Sequence, residues 1–401
     1  MSTTSSESPA TWRNWSGRLA TTEAEIRFVR SEADAAAVAA SAAAAGRTVR
    51  VTGSGHSHQP LVLTDETIVD VSGLSGVVDV DADLDAPSAT IRAGTPIHSV
   101  GSALHADGLA LINQGDIDRQ MVGGAVATGT HGTGHELGSF SAAVLGARIA
   151  VASGEMVACS AEIERELWQA ARLNLGALGI VTELTLAVRP AYRLKESGFL
   201  STFDEIVPEI GERSMASRHF EFFWYPTKDR AVVKVIDETA DEPVYPLAAE
   251  GSRVGWNYEV LPNHRTWPHT EMEYSVAAED GPACLTAIRE LLQRDFPEMG
   301  WPVEYRTLAA DDVWLSTAYG RPTVTISLHQ DVADDDEPLY RAAEEIFRSF
   351  DGRPHWGKIN YLDADTLASM YPRWEEWWAV RDRVDPTGVF CNNYLQSIRP
   401  R

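Results

Sequence analysis

The sequence predicts a fold of the α+β class, with its helices and sheets gathered into two domains. At the usual ~100–200 residues per domain, 401 residues fit two domains or one large domain. Up to about residue 190, short strands and helices alternate in small units. Beyond about residue 200, aromatic residues cluster in "HFEFFWYP" (219–226), and strands alternate with longer helical stretches. This change of pattern places a domain boundary near residue 190.

In the first 190 residues, capping and periodicity predict the elements. Residues 31–46 are expected to form a helix, because Ser31 suits the N-cap, acidic residues follow it, and Gly46 suits the C-terminal end. A second helix is expected at 96–108, opened by Pro96 and closed by a glycine. The remaining expectations are strands at 25–30, 48–53, 67–72, 77–84, 89–94 and within 142–155, then a helix, a tight turn and a strand across 166–190.

The second half is expected to hold a sheet and two longer helices. Strands are predicted in "VEYR" (303–306) and "ISLHQD" (326–331), and helices at 281–295 and 337–350. Residues 371–395 indicate a tryptophan-rich helix, a Pro-Thr-Gly turn and a tail. At the other end, the serine- and threonine-rich residues 1–20 are expected to be mobile, apart from Trp12 and Trp15.

Charge and cysteine content limit the partners and the compartment. The chain has 34 Lys and Arg against 58 Asp and Glu, a net charge of -24. This argues against a nucleic acid or an anionic membrane, because phosphates would repel the chain. Cys159, Cys284 and Cys391 lie far apart, which fits a reducing compartment. Without a signal-peptide pattern or a run of ~18 apolar residues, we expect a cytoplasmic protein that does not insert into membranes.

The first candidate binding motif is "GSGHSH", directly after a predicted strand. It consists of Gly53, Ser54, Gly55, His56, Ser57 and His58. It is not a Rossmann fingerprint, because His58 fills the sixth position and Pro60 follows where a helix should begin. Consecutive Gly and Ser N–H groups can still bind a pyrophosphate as an anion nest. Taken alone, however, the stretch favours a structural turn.

A second stretch, "NQGDIDRQMVGGAVATGTHGTG" (113–134), has neither a helical nor a strand period. Within residues 123–134 the largest side chains are Val126 and His131. Such a bare backbone can closely approach a large flat ligand, such as an isoalloxazine ring. A floppy loop of this length is unusual inside a compact domain. We therefore expect an ordered binding loop.

Two histidine pairs raise a metal site as an alternative. His131 and His135 are four residues apart, and His56 and His58 are two apart. A pair four apart on a helix can chelate zinc. However, "HGTGH" contains two glycines, and no carboxylate or cysteine stands at ligand spacing. We therefore expect no metal.

Together, these motifs resemble those of the sugar-lactone and alditol oxidoreductases of the vanillyl-alcohol-oxidase superfamily, which has a PCMH-type FAD-binding domain. The resemblance covers nearly the whole chain and is strongest to the bacterial L-gulono-1,4-lactone and D-arabinono-1,4-lactone oxidases or dehydrogenases. In the first half it rests on "VTGSGHS", "NQGDID", "ATGTHGTG" and "LGALGIVTELTL". In the second half it rests on "HFEFFWYP", "TEMEY", "VEYR", "STAYGR", "LHQ", "GRPHWGK" and "DPTGVFCNNYL".

The resemblance implies a specific division of the chain. Residues 1–190 would form an FAD-binding domain of two α+β subdomains. Residues 191–365 would form a substrate (cap) domain whose antiparallel sheet covers the flavin. The C-terminal segment, 366–401, would return to the FAD-binding domain.

The resemblance also implies FAD as the cofactor, with the 53–58 loop at its pyrophosphate and flavin. In many members of the family, the histidine of "GHS" is bonded to the flavin 8α-methyl group, and here that residue is His56. His58 stands where relatives usually carry an apolar or small residue. Besides the 53–58 loop, contacts with the cofactor are expected from Gln114, Gly115, Asp116, Gln120, Gly123, Gly124, Ala125, Thr128, Thr130, His131, Gly132, Thr133, Gly179, Ile180 and Asn393.

Four residues are candidates for catalysis. Oxidising an alcohol requires a group that takes the hydroxyl proton and donors that stabilise developing negative charge. Glu304 and Arg306 are two apart on a predicted strand and so share a face. Taken alone, they fit a structural ion pair, His329 a structural histidine and Lys358 a solvated lysine. The resemblance implies that all four surround the substrate and the flavin, with His329 as acid/base, Glu304 orienting substrate hydroxyls, and Arg306 and Lys358 offsetting negative charge.

The resemblance implies an FAD-dependent oxidoreductase acting on a CH–OH group of a sugar-derived aldonolactone. The runner-up is an alditol or polyol oxidase on the same fold. A non-catalytic flavin-binding protein and a histidine-metal hydrolase are the alternatives from other classes. Oxygen or another electron acceptor would complete the turnover. Tyr319 and Arg321 of "TAYGR" are additional candidates for substrate contact.

Overall fold

The computed structural model describes residues 11–83, 85–263 and 265–400 and confirms the α+β class. The serine- and threonine-rich residues 1–10, expected to be mobile, lie outside the described residues, as does Leu84 of the strand expected at 77–84. Within the described ranges, no helix combines the length and apolarity needed to cross a bilayer.

The first sheet is parallel, with strand order β3-β5-β4, beside a separate β1-β2 hairpin. Its helix is capped as expected: Ser31 accepts a hydrogen bond from the N–H of Asp34 at 3.1 Å, and Gly46 is left-handed at φ 62°. Because β4 runs parallel to its neighbour, the 53–58 loop leaves the carboxyl end of the sheet, where ligands commonly bind. The elements are β1 Trp12–Arg13, β2 Ala20–Thr21, β3 Glu25–Phe28, α1 Glu32–Ala45, β4 Val49–Thr52 and β5 Thr67–Asp70.

The second sheet is antiparallel, with strand order β10-β9-β11-β7-β6 and β8 paired beside β11. It shares a large apolar core with the helices that follow its strands. The elements are β6 Val77–Asp81, β7 Ser88–Arg92, α2 Ile97–Ala106, β8 Leu109–Leu111, α3 Val122–Thr128, β9 Val144–Ala150, β10 Met156–Ser160, α4 Arg165–Ala171 and β11 Ile180–Pro190.

The expectation that residues 113–134 lack regular structure is wrong in part, because α3 lies within them. Glycine contributes no side chain to a periodic pattern, so Gly123 and Gly124 concealed the helix. The same absence of side chains permits its packing, since a Cβ at Gly123 would lie 2.9 Å from the Cβ of Ala93. Gly129, left-handed at φ 78°, ends the helix.

The third sheet, in the described part of the chain, has eight antiparallel strands in the order β15-β12-β14-β13-β17-β18-β16-β19. Strands distant in sequence therefore become neighbours. The elements are β12 Arg193–Thr202, α5 Phe203–Ile206, α6 Ile210–Ala216, β13 His219–Tyr225, β14 Arg230–Glu238, β15 Val254–Trp256, α7 Asn257–Val260, β16 His269–Ala277, α8 Gly281–Asp295, β17 Val303–Leu308, β18 Thr323–Asp331, α9 Glu337–Ser349 and β19 Arg353–Pro354.

Alternation along these strands gives the third sheet two different faces. Phe222, Tyr274 and Ile326 point to one face and are buried in the core formed with α8 and α9. The residues between them point to the other face, here called the site face, which looks toward the 113–134 segment. Strand register aligns one row across the site face: Leu200, Val232, Phe223, Glu304, Ser327 and Glu273.

The C-terminal helices pack against the first part of the chain. The indole of Trp377 donates hydrogen bonds to the carbonyls of Leu173 at 3.0 Å and Ala170 at 3.3 Å. The N–H of Val49 on β4 donates to the carbonyl of Val389 at 2.8 Å. The domain bounds 1–190, 191–365 and 366–401 stay a prediction. The helices are α10 Ala364–Met370, α11 Trp374–Val384 and α12 Asn393–Ser397.

Candidate active site

A cleft and a larger cavity lie side by side, and the side chain of Gln120 borders both. The cleft lies between the 53–57 loop, α3 and the segment before β11. The cavity, of about 570 Å³, lies between the 115–131 segment and the site face. Gln120 Oε1 is buried and has no hydrogen-bond partner among the described residues. A polar ligand reaching from the cleft into the cavity would satisfy it.

Besides Gln120, the cleft gathers ten of the residues expected to hold the cofactor. Several residues that line it are glycines, so a flat or anionic group can approach the backbone closely. A Cβ added at Gly124 would meet no atom within 4 Å and would enter the open cleft. The ten residues are Gly53, Ser54, Gly55, His56, Ser57, Gly123, Gly124, Ala125, Thr128 and Gly179.

Arg50 also borders the cleft, although the sequence analysis did not single it out. Its buried guanidinium donates to the carbonyls of Leu61 at 2.5 Å, Leu175 at 2.7 Å and Gly176 at 2.9 Å, and to that of Phe390. Burial lowers the pKa of Arg50 to about 10, so the group remains charged at neutral pH. It therefore ties several walls of the cleft together and places a positive charge beside it, which suits a diphosphate.

The two histidines of the 53–58 loop have different surroundings. His56 borders the cleft and stacks on Trp15, with ring centroids 5.4 Å apart. Burial, with Lys358 and His269 nearby, lowers the pKa of His56 to about 4, so its imidazole is neutral at pH 7. The backbone N–H of His58 donates to the carbonyl of Gly357 at 2.7 Å, and its ring is buried outside the cleft.

Lys358 and His329 meet at one carboxylate on the site face. The Nζ of Lys358 hydrogen-bonds to Glu271, and His329 Nε2 lies 3.7 Å from the other oxygen of Glu271. His329 Nδ1 lies 2.9 Å from the carbonyl oxygen of Pro302. A carbonyl only accepts, so Nδ1 carries the proton and Nε2 is left as the basic nitrogen. Burial would raise the pKa of Glu271, but Lys358 and His329 outweigh it, and the pKa is lowered.

Glu304 and Arg306 belong to a second charged group on the site face. Their charged atoms approach to 2.5 Å, and Arg306 Nε also donates to Glu221 at 3.0 Å. Lys234 bridges Glu221 at 2.5 Å and Asp116 at 3.3 Å. Burial raises the pKa of Glu304 above the usual glutamate value, and Glu221 and Asp116 add to the rise, while the charge of Arg306 opposes it. Arg306 thus holds the Glu304 carboxyl group in place at the cavity wall.

A third group surrounds Glu273. His131 Nε2 lies 2.8 Å from Glu273 Oε1, and its Nδ1 lies 2.8 Å from the carbonyl oxygen of Gly132. Ser327 donates to the second carboxylate oxygen at 2.9 Å. Burial alone would raise the pKa of Glu273, but His131 and His355 lower it. His131 therefore joins the 113–134 segment to the site face.

Two of these groups have geometry that a metal ion could use. Their ligand atoms lie within 4.8 Å of one another in His131, Glu273 and His355, and in His269, Glu271 and His329. In the described part of the chain, neither pair weighed from the sequence, His131 with His135 or His56 with His58, forms such a group. Hydrogen bonds within the protein already engage Glu271 and Glu273. The expectation of no metal stays a prediction.

The remaining predicted residues divide between the cavity and places outside it. Gly115, Asp116, Gln120, Thr130 and His131 border the cavity together with the four catalytic candidates. Outside both spaces, Thr133 Oγ1 donates to the carbonyl of Phe220 at 2.6 Å, which links its loop to the site face. The other residues outside both spaces are Gln114, Gly132, Ile180, Asn393, Tyr319 and Arg321.

Residues missing from the predicted site share one signal. On β16, "HTEME" alternates, so that His269, Glu271 and Glu273 all point to the site face. On β13, Glu221 alternates with buried aromatic residues in the same way. Polar residues that alternate with core residues along a strand thus predict a strand with one polar face. Only the tertiary structure shows which of these polar faces border the same cavity.

The comparisons with known proteins match both halves of the chain. The family described as D-arabinono-1,4-lactone oxidase matches residues 184–253 and 244–398, and the family described as FAD binding domain matches residues 24–160. The chain is 34% identical to an L-gulono-1,4-lactone dehydrogenase of Mycobacterium tuberculosis, covering 96% of this chain and 98% of the relative. It is 30% identical to an alditol oxidase of a Streptomyces species, covering 79% and 83%. A solved structure of a solvent-stable cholesterol oxidase shares the fold, with a TM-score of 0.86 over 97% of both chains at 19% identity.

These matches confirm the cofactor and the family expected from the sequence. The FAD-binding match contains both the 53–58 loop and α3, which both contribute residues to the lining of the cleft. The lactone-oxidase match contains β13, β16, β17 and β18, which carry the charged groups of the site face. The cofactor is FAD, and the chain belongs to the D-arabinono-1,4-lactone oxidase family.

Proposed function

We propose that the protein oxidises a hydroxyl group of an aldonolactone, of the L-gulono-1,4-lactone or D-arabinono-1,4-lactone type. When bound, FAD supplies the hydride acceptor at flavin N5. The observation that carries the proposal is the cavity in which Glu304, Arg306, His329 and Lys358 face the 115–131 segment, next to the cofactor cleft. The names of the matching family and of the mycobacterial relative support the lactone as substrate.

His329 is the proposed base. Its Nδ1 proton is held by the Pro302 carbonyl, so Nε2 can accept the proton of the substrate hydroxyl. Burial lowers the pKa of His329 to about 4, although Glu271 opposes this shift. The ring is therefore neutral, and able to act as a base, throughout the neutral range.

Lys358 and Arg306 are the proposed sources of positive charge. Both border the cavity, and both are held by carboxylates on neighbouring strands. Fixed cations in a site that excludes water stabilise negative charge that develops during the reaction. Glu304, held in place by Arg306, is the proposed group that orients the substrate hydroxyls.

The proposal is tested by anaerobic reduction of the bound flavin. We expect L-gulono-1,4-lactone or D-arabinono-1,4-lactone to bleach the flavin absorbance within one turnover. The second candidate, an alditol oxidase, is favoured by the 30% identity to the Streptomyces alditol oxidase. Faster bleaching by open-chain alditols than by lactones would establish that candidate. A protein that binds FAD and is bleached by neither class would be a non-catalytic flavin-binding protein.

We also propose that FAD is bonded covalently to His56. The position of His56 at the cleft supports this proposal, as does its neutral, nucleophilic imidazole. After acid precipitation, the flavin should remain with the pellet in the wild type and in His58→Ala, and should move to the supernatant in His56→Ala. Colour that stays with the His56→Ala pellet would assign the bond to another residue.

The proposed location is cytoplasmic. All three cysteines are free and buried, which fits a reducing compartment. Fractionation of the native host would test this proposal, and recovery of the protein with the membrane pellet would contradict it. The proposed electron acceptor is oxygen or another acceptor of the two electrons.

A further inference from the structure

Two histidines and one carboxylate converge at the cavity wall formed by β16 and β18. Glu271 on β16 is the cross-strand partner of His329 on β18, and His269 lies two residues before Glu271, on the same face. All three are buried and border the cavity. The rings of Trp15 and Trp301 pack against that of His269, with centroids 5.1 and 5.6 Å away. The sheet and this packing therefore fix the three side chains in position.

Both histidines present an unprotonated nitrogen to the carboxylate. The Nδ1 of His269 lies 2.9 Å from the carbonyl oxygen of Trp267, as the Nδ1 of His329 does from that of Pro302. Because a carbonyl only accepts, Nδ1 carries the proton in both rings, and both Nε2 atoms keep a lone pair. These Nε2 atoms lie 3.8 and 3.7 Å from the oxygens of Glu271, too far for hydrogen bonds. A cation between the three acceptors would satisfy all of them.

The neighbouring group around Glu273 has no such mismatch. Glu273 accepts a hydrogen bond from Ser327 at 2.9 Å, and its other oxygen lies 2.8 Å from His131 Nε2. The Nδ1 of His355 accepts from the backbone N–H of Gly357 at 3.0 Å. Hydrogen bonds thus complete this second group, although its geometry also resembles that of a metal site.

We propose that His269, Glu271 and His329 form a binding site for a divalent transition-metal ion such as Zn²⁺, and that a bound ion inhibits the enzyme. In a tetrahedral zinc site with bonds of about 2.0–2.1 Å, the ligand atoms lie roughly 3.4 Å apart. Here the ligand atoms lie within 4.8 Å of one another, so each needs to move by less than about 1 Å. Strand pairing creates the set, so spacing along the sequence could not reveal it.

The ion is proposed as an inhibitor and not as a cofactor, so turnover does not need it. It would occupy Nε2 of His329, the atom that is proposed to accept the proton of the substrate hydroxyl. The inhibition therefore rests on the proposed function, whereas the binding of the ion does not. Because the three ligands border the cavity, water can fill the remaining coordination position.

The charge of the cavity favours a cation, with one local exception. The described lining contains five carboxyl groups and three Lys or Arg side chains, and such an excess of acidic groups attracts cations. The exception is Lys358, because its ammonium group hydrogen-bonds to Glu271 and competes for the same carboxylate. Imidazole nitrogens favour Zn²⁺, whereas Mg²⁺ prefers oxygen ligands. We therefore expect a zinc-selective site whose affinity is limited by Lys358.

The first test measures metal binding to the oxidised holoenzyme by equilibrium dialysis against ZnCl₂ or MgCl₂. We expect one tightly bound Zn²⁺ per chain and no comparable binding of Mg²⁺. His269→Gln and Glu271→Gln should each weaken Zn²⁺ binding about tenfold or more. The absorbance of retained FAD shows that each variant is folded.

His98 provides the matched control, because it is exposed on α2 and does not border the cavity. His98→Gln should leave Zn²⁺ binding unchanged. Equal weakening in His98→Gln and His269→Gln, or Mg²⁺ binding as tight as that of Zn²⁺, would overturn the site.

Lys358→Met tests the position of the ion by a change in the opposite direction. Loss of the competing ammonium group should tighten Zn²⁺ binding about fivefold or more, whereas a substitution that merely disturbs the site would weaken it. Unchanged or weaker binding in this variant would contradict an ion bound at Glu271.

The inhibition is tested by anaerobic reduction of the flavin with a lactone. Saturating Zn²⁺ should slow reduction about tenfold or more in the wild type, EDTA should restore the rate, and His269→Gln should not respond to the same Zn²⁺ concentration. Tight binding of Zn²⁺ with an unchanged reduction rate would overturn the inhibition. Failure of lactones to reduce the flavin of the metal-free enzyme would overturn only the proposed function, since dialysis needs no substrate.

Discussion

The ammonium group of Lys358 hydrogen-bonds to the carboxylate of Glu271 at the edge of the cavity. The two residues are 87 positions apart in sequence. Lys358 lies on the segment after β19, and Glu271 lies on β16, which pairs with β19. Because Glu271 also faces His329, its carboxylate links the proposed base to Lys358, the proposed source of positive charge. The behaviour of this group is the most direct measure of whether the cavity is an active site.

Replacing Lys358 with Met should slow anaerobic flavin reduction about 100-fold or more, because the cation that stabilises developing charge is lost. Stopped-flow absorbance gives this rate without interference from the acceptor. Lys195→Met is the control: Lys195 is exposed on β12 and is paired with Asp241 at 3.1 Å. A loss of only a few-fold in Lys358→Met, similar to that of the control, would make Lys358 a structural residue.

The rate of flavin reduction should respond to pH through His329. Protonation of Nε2 removes the base, so the rate should be constant near neutrality and fall as the pH drops toward about 4, where burial places the pKa of His329. An unperturbed histidine would instead halve the rate near pH 6.5. The pH dependence of the flavin-reduction rate should be measured for the wild type and for His329→Gln. The variant should reduce the flavin slowly, and its rate should not fall further as the pH drops toward about 4. Glu271, His269 and Lys358 surround the ring, so a midpoint near 6.5 would mean that another group titrates.

The local structure could be predicted where side chains mark it. Helices α1 and α8 lie within one residue of their expected positions, since caps or a clear apolar face define them. Helix α3 could not be recognised, because two of its seven residues are glycines. In the site, the two-residue period of a strand was enough to predict that Glu304 and Arg306 share a face. Their contacts with Glu221 and Asp116 could not be predicted, because strand order and loop packing bring these residues together over long sequence distances.

Alanine substitutions at the two adjacent glycines of α3 should have opposite effects on the free energy of unfolding. Gly123→Ala should destabilise the protein by about 1–3 kcal/mol, because its Cβ would be forced against Ala93. Gly124→Ala should stabilise the apoprotein by up to about 1 kcal/mol, since alanine favours a helix. The same methyl group would enter the cofactor cleft and should weaken FAD binding. Urea unfolding and FAD titration of the apoprotein measure both effects; equal behaviour of the two variants would contradict this assignment of faces.

Two adjacent asparagines at the start of α12 form a second matched pair. Asn392 is buried and donates from Nδ2 to the carbonyls of Pro60 at 2.7 Å and Leu63 at 2.9 Å, while its Oδ1 caps the helix. Asn393, which the sequence analysis had chosen, is exposed and borders neither the cleft nor the cavity.

Asn392→Ala should therefore cost about 2–3 kcal/mol of unfolding free energy, because buried carbonyls lose their donor and the helix loses its cap. Asn393→Ala should change it by less than about 0.5 kcal/mol. Residues 60–63 continue the loop that lines the cleft, so Asn392→Ala should also weaken FAD binding in a titration of the apoprotein, whereas Asn393→Ala should not. Weaker FAD binding in Asn393→Ala than in Asn392→Ala would instead support the original choice, with the C-terminal segment contacting the cofactor through Asn393.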